Sequence, residues 1–464
     1  MPVNKDLLNL KGMLALLLCM GGAWCWTSCS DDGVSSKTHD PNKPIEVTDF
    51  TPKDCRARTR MYIWGKNFGT DISQIHVKVG GTTANVIGSD GEVIYCIVSP
   101  KSYNNDKVEV AVGQTEEYTE APMPVNYTVT KQVKTLCGYI DETGKTEASD
   151  GSFDVAGFVG PEWMAADPKN PHLVYLVDNR EVIRILNLEK REVSRLISKG
   201  QAQLFSIREI GFTRTGDTLL VANEQDAETA VAMSMFFRKD DFKKPIVAVR
   251  GRKNNSVSPH PFNRELYFSD RTSGTIYRHE WEWKPEEKEA LFVVGGNDSQ
   301  IFIAFHPTGN YAYIVIPPRK KIYKSEYDWK NHTLRAPVEF CGNGSEGCVD
   351  GLGLNAKLGN PMQGVFVYNQ AYADAGKEDC YDFYFADQYS HAIRYVTPEA
   401  YVHTFAGRGS KGLDKNPHGY VDGDLLEDAR FNQPVGIAFD AVNRIFYIAD
   451  KNNKRIRTID LNGE

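Results

Sequence analysis

The sequence predicts an all-β chain: a small β-sandwich followed by a six-bladed β-propeller that an N-terminal strand closes. Three observations predict it. The 22 Tyr, 22 Phe and 39 Gly suit strands joined by tight turns. A strand–turn–strand element recurs six times between residue 174 and the C-terminus. An Asp-Gly pair leading to Ala-x-Phe/Leu-x-x-Pro recurs three times in the same register.

The 464 residues exceed one ordinary domain, so two or three are expected. A net charge of −7 disfavours nucleic-acid binding, which needs clustered Lys and Arg against phosphates. At the N-terminus, Lys5 and Lys11 flank an approach to an uncharged apolar run, residues 13–26, and small residues lead to Cys29. Residues 1–28 therefore read as a signal peptide. The segment resembles a bacterial lipoprotein signal, which implies that Cys29 is lipidated. Trp26-Thr27-Ser28 departs from the usual Leu three positions before that cysteine, which leaves Cys25 and Cys19 as alternatives. Ser30-Asp31-Asp32 resembles the acidic export tag of Bacteroidetes surface lipoproteins, implying an outer-membrane or cell-surface location. An uncleaved anchor is the other reading, although the run is short for a span of about 20 residues. Residues 29–43, rich in Ser, Asp, Lys and Pro, read as a flexible tether too polar to build a core.

Residues 44–127 form the first folded unit. Runs 60–64, 75–79, 93–98 and 108–112 have strand composition, with Gly80-Gly81 and Asn104-Asn105 between them, the pattern of a small sandwich. Residues 45–52, the element Gly65-Lys66-Asn67-Phe68-Gly69 and the Val-rich last strand resemble the IPT/TIG family of immunoglobulin-like domains. The resemblance implies a spacer or binding module without chemistry of its own.

Residues 128–464 carry the repeat. Asp150-Gly151, Asp350-Gly351 and Asp422-Gly423 lead to Pro161, Pro361 and Pro434, each followed by a short strand. Downstream lie six strands ending near Asp178, Asn223, Asp270, Val315, Asp387 and Asp450, most followed by a second strand opening with Ile-Arg or Ile-Tyr. The early units are about 45 residues apart, the length of a four-stranded blade. The last unit lacks a fourth strand, and the segment around Leu136 matches the missing one, so it is expected to complete the ring and remove an open sheet edge. These motifs resemble those of NHL-repeat propellers, with insertions expected around 341–358 and 410–427.

The Asp-Gly pairs read as turns, Asp capping its own turn and Gly taking a positive φ, with calcium ligation as the alternative. Arg184, Arg394 and Arg457 follow Asp178, Asp387 and Asp450 at nearly constant spacing, which reads as a structural hairpin tie and not a catalytic pair. The ten His form no metal motif, the cysteines match no zinc pattern, and no cofactor is expected. Cys341 and Cys348 are a candidate disulfide or buried thiols. In His279-Glu280-Trp281-Glu282-Trp283, strand alternation puts Trp281 and Trp283 on one side, as a sugar platform or as a cover for the blade. Tyr327 and Trp329 repeat the spacing.

Innermost strands line a propeller channel, and their first residues point to its mouth, so Glu162, Trp163, Arg208, Glu209, Phe302 and Gln363 are the expected ligand contacts. No catalytic residue is expected. Anchor, tether, spacer and ring point to a non-enzymatic envelope lipoprotein that binds a glycan or another envelope protein. The resemblance to surface lipoproteins implies a polysaccharide-utilisation system. A propeller-channel lyase or hydrolase with a bound metal, and a scaffold of an outer-membrane complex, are the rival readings.

Overall fold

A computed structural model describes residues 38–114, 117–407 and 417–463. The signal peptide, Cys29 and most of the tether lie outside the described residues, as does part of the 410–427 insertion. The chain divides into two compact units, Met1–Tyr127 and Thr128–Glu464. Among the described residues no helix is long and apolar enough to cross a membrane.

The first unit is a short parallel pair, Asp54–Cys55 with Asn126–Tyr127, and two antiparallel sheets. One runs Glu46–Thr51, Arg60–Gly69, Gly91–Ile97, Asn85–Ser89; the other runs Thr82–Thr83, Ile75–Val79, Val108–Val112, Thr119–Glu120. From Arg60 to Lys66 the alternation is strict: Met61 and Ile63 are buried while Tyr62 and Trp64 face outward. The core includes Phe50, Phe68, Val77, Ile94 and Val110. The Gly-x-Asn-Phe-Gly element has a reason for each residue. A Cβ on Gly65 would lie 1.9 Å from the Glu46 carbonyl oxygen, so only glycine lets the first strand pass. Phe68 fills the core. The Asn67 side chain accepts from the Asp40 amide at 2.7 Å and donates to the carbonyls of Asp40 and Lys43. Residues 39–43 are thereby held against the sandwich, which shortens the tether expected to run to residue 43.

The second unit is six antiparallel sheets in chain order. The first is Pro161–Ala166, Leu173–Asp178, Val182–Asn187, Glu192–Ser198, and the second is Ile207–Phe212, Thr218–Asn223, Val231–Phe237, Pro245–Arg250. The third is Ser258–Pro259, Glu265–Asp270, Thr275–Glu280, Glu289–Val293, and the fourth is built on Phe302–Phe305, Tyr311–Ile316, Lys321–Asp328 and Val338–Cys341. The fifth is Pro361–Tyr368, Tyr381–Asp387, Ala392–Val396, Tyr401–Ala406. The sixth takes Pro434–Asp440, Ile445–Asp450 and Arg455–Asp460 from the end of the chain and Gln132–Cys137 from its other side, with Val133 opposite Ile459 and Thr135 opposite Arg457. Apolar side chains from neighbouring sheets merge into shared cores; one contains Trp163, Ile207, Phe302, Phe383 and Ile437.

The Asp-Gly segments correct one expectation. Each adds a two-residue outer strand to its sheet: Gly151–Ser152, Gly351–Leu352 and Gly423–Asp424. Gly151 and Gly423 have φ of 137° and 136°. The carboxylates do not cap their own turns. Asp150 accepts from the Arg195 amide at 3.0 Å, Asp350 from the Thr404 hydroxyl at 2.8 Å and Asp422 from the Thr135 amide at 3.0 Å, so each pins the fourth strand of its own sheet.

Candidate binding site

The repeated Arg sits fully buried between two carboxylates. Arg184 donates to Asp178 at 3.3 Å and Asp150 at 2.8 Å; Arg394 to Asp387 at 3.1 Å and Asp350 at 3.0 Å; Arg457 to Asp450 at 2.8 Å and Asp422 at 2.6 Å. Burial pushes the Asp450 carboxyl up to about 6 against the pull of Arg457. These three arginines are fully buried, and their ion pairs tie strands together.

The same strand-ending carboxylates also hold the entry to the innermost strand. Asp178 accepts from the Gly160 amide at 2.8 Å, Asp387 from the Asn360 amide at 2.6 Å and Asp450 from the Asn432 amide at 2.7 Å. The following turns are tied down as well: the amides of Asn179, Glu224, Gln388 and Asn452 donate to the carbonyls of Gly160, Ser206, Asn360 and Asn432. Asn179 and Arg180 both take left-handed φ, 53° and 58°, an uncommon conformation for side-chain-bearing residues that these bonds stabilise. Turn residues and innermost-strand residues therefore converge at one end of the first, second, fifth and sixth sheets.

A cavity of about 180 Å³ lies there, lined by Glu162, Trp163, Arg180, Arg208, Tyr389 and Lys451, with Gln300, Asn360 and Gln388 among its polar neighbours. Glu162 accepts from Arg180 at 3.1 Å and Lys451 at 2.6 Å. Burial works to raise its carboxyl, but Arg180, Lys451 and Arg208 outweigh it and hold it below the usual glutamate range. Arg208 is fully buried; burial and then the nearby Arg180 bring it down to about 10. It pairs with Glu224 at 3.3 Å, yet its Nε and Nη1 make no hydrogen bond among the described atoms. Trp163 is fully buried and its indole N–H also has no partner there.

Of the six residues expected at the mouth, Glu162, Trp163 and Arg208 line the cavity. Phe302 stands behind, its ring 4.3 Å from that of Trp163. Gln363 is committed elsewhere: its side chain accepts from the amides of Met164 at 2.9 Å and Ile437 at 3.1 Å and donates to the Met164 carbonyl at 2.7 Å, stapling three innermost strands. Glu209 borders a different cavity of about 320 Å³ that reaches Phe212 and Phe305 at the far ends of their strands. Register irregularities between Pro161 and Met164, Ile207 and Ile210, Pro361 and Gly364, and Pro434 and Gly436 turn successive residues at the starts of these strands to different sides, so position at a strand start does not bring all six together.

Arg180, Tyr389 and Lys451 were missed. Their signal was present: each lies one or two positions after a repeated strand-ending Asp. Trp281 and Trp283 lie in a turn after Thr275–Glu280, not along a strand, so alternation does not align them. Both are half-buried, with Arg264 over one ring and Arg278 over the other, each at 5.3 Å. Tyr327 is buried and donates to Glu265 at 2.9 Å. No disulfide joins Cys341 to Cys348; Cys341 is buried and Cys348 approaches the Thr404 hydroxyl at 3.6 Å. Among the described residues no three His, Cys, Asp or Glu side chains form a group able to hold a metal ion.

An N-terminal sandwich of this kind, followed by sheets that repeat an Asp–Arg tie, defines an NHL-type propeller protein with a TIG domain. The IPT/TIG domain family matches residues 44–129 and the NHL repeat family residues 431–459. The chain belongs to a family of such proteins from Bacteroides. It is 38% identical to an auxiliary nutrient binding protein of Bacteroides thetaiotaomicron, with a TM-score of 0.76 over 91% of this chain and 99% of that one. A second auxiliary nutrient binding protein, from Bacteroides ovatus, is 33% identical with a TM-score of 0.72 over 91% and 99% of the two chains. The chicken NHL repeat-containing protein 2 is 32% identical over 339 residues; the match takes in 67% of this chain but only 40% of that protein's length.

Proposed function

We propose that this chain is a non-enzymatic binding protein of the cell envelope, lipid-anchored through Cys29 in the outer membrane or at the surface, which captures a glycan as part of nutrient uptake. In this reading the six sheets are the blades of a six-bladed propeller closed by Gln132–Cys137, the TIG domain is a spacer, and the cavity at the mouth is the ligand site. The observation that carries it is the convergence of Arg180, Arg208, Lys451 and Tyr389 from different sheets on one cavity. The Bacteroides nutrient binding relatives support the same class of role.

Affinity electrophoresis of the full chain, purified in detergent, through gels carrying a panel of polysaccharides tests the capture. Retardation by at least one polysaccharide, reduced in a Lys451→Met variant, is the expected result; unretarded migration on every one contradicts it. Incorporation of labelled palmitate, lost in Cys29→Ala, tests the anchor.

A further inference from the structure

We infer that the cavity recognises a negatively charged sugar, a unit carrying a carboxylate such as a uronic acid; this rests on the reading that the mouth is a glycan site. Three cations, Arg180, Arg208 and Lys451, face one carboxylate, Glu162, so the lining carries two positive charges in excess. Further out, Glu224 pairs with Arg208 at 3.3 Å and with Arg271 at 2.8 Å, and Arg271 with Asp298 at 3.0 Å, so the wider group of four cations and three carboxylates keeps one positive charge in excess. This local excess sits in a chain whose net charge is −7, so the field is confined to the mouth. Arg208 is fully buried, with its Nη1 3.3 Å from Glu224. A ligand carboxylate supplies the missing negative charge to Arg180 and Lys451, whose side chains are 40% and 30% exposed, with Arg208 adding to the field from behind.

Size and shape narrow the ligand further. About 180 Å³ is below the ~300–1,000 Å³ of pockets that enclose drug-sized molecules, so the cavity takes one sugar unit and not an oligosaccharide. Tyr389 lines the same cavity with 47% of its surface exposed, an aromatic face at the rim where the apolar side of a pyranose ring stacks. An inorganic anion would use the cations and ignore the tyrosine. The acidic chain end or a side unit of an acidic polysaccharide uses both.

Isothermal titration calorimetry on the full chain in detergent, with glucuronate and galacturonate, their neutral parents glucose and galactose, and inorganic sulfate, tests the inference. At least one uronate is expected to bind ten-fold or more tighter than its neutral parent and than sulfate. Lys451→Met and Arg180→Gln each weaken uronate binding at least three-fold. Glu162→Gln, which removes the lone carboxylate while keeping an acceptor for Arg180, tightens it. A structural role alone does not produce opposite signs within one cavity. Equal affinity for uronate and neutral sugar, equal affinity for uronate and sulfate, or no heat from any of them overturns the inference. A polysaccharide that still retards the chain under any of those outcomes leaves the glycan reading standing. Uronate binding with no polysaccharide retained removes the glycan reading and keeps the acidic-sugar site.

Discussion

Glu209 gives a pH signature that can be worked from the structure. Its carboxyl is buried between the innermost strands of the second and third sheets, where one oxygen accepts from the Val257 amide at 3.0 Å. Burial pushes it up to about 8 from an ordinary 4.5, against the pull of that hydrogen bond. The folded chain therefore keeps a proton that the unfolded chain releases above about 4.5. Its stabilising contribution is full below that pH and is lost as pH rises through about 8. Each pH unit inside the window removes up to about 1.4 kcal/mol. Glu209→Gln retains the acceptor for Val257 and never ionises. Urea unfolding of both proteins at pH 5, 7 and 9 is the assay, and the difference between them cancels whatever the first unit contributes. The two are expected within about 1 kcal/mol at pH 5, with the variant ahead by about 3 kcal/mol at pH 7 and by about 5 kcal/mol at pH 9. A difference that stays constant with pH, or a wild type that gains on the variant as pH rises, refutes the reasoning.

Arg457→Met leaves the buried Asp450 carboxylate without its cation, and urea unfolding is expected to show a loss of about 3–5 kcal/mol, part of it recovered by adding Asp450→Asn; a loss under about 1 kcal/mol contradicts the tie. Gly436→Ala would place a Cβ 1.7 Å from the Glu162 carbonyl oxygen, forcing apart the innermost strands of the first and sixth sheets. It should cost more than about 2 kcal/mol, while Gly88→Ala, with nothing within 4 Å, stays within about 0.5 kcal/mol of wild type. Burial pushes the thiols of Cys96, Cys137 and Cys341 up to about 12, so iodoacetamide mapped by mass spectrometry should label the half-buried Cys380 well before them in the native chain and all of them in denaturant.

The repeat was readable because its polar residues perform one structural task in the first, fifth and sixth sheets. Asp178, Arg184 and Asp150 have counterparts in the fifth and sixth sheets with the same bonds, so spacing alone exposed the device. The match between the segment at Leu136 and a fourth strand was legible for a similar reason: Val133 to Gly138 resembles Val402 to Gly407, and Gln132–Cys137 pairs with Arg455–Asp460. The third sheet was harder. Its innermost strand is only Ser258–Pro259, and a proline-bearing pair carries no periodicity to detect. The site was half legible. Chain order placed Glu162, Trp163 and Arg208 near the mouth, but strand irregularities sent Gln363 to a staple and Glu209 to another cavity. Arg180, Tyr389 and Lys451 act from turns, where strand periodicity has nothing to say and only the position after the repeated Asp marks them. Trp281 and Trp283 show the converse error, an alternating pattern imposed on residues beyond the end of a strand.

The central claim is that ligand sits where turns from several sheets meet over Glu162 and Arg208. Hydrogen–deuterium exchange of the full chain, with and without a polysaccharide that retards it, tests this directly. Added protection should concentrate in peptides covering Asn179 and Arg180, Gln388 and Tyr389, and Lys451. Protection confined to residues 44–127, or to the cavity around Phe212 and Phe305, would contradict it.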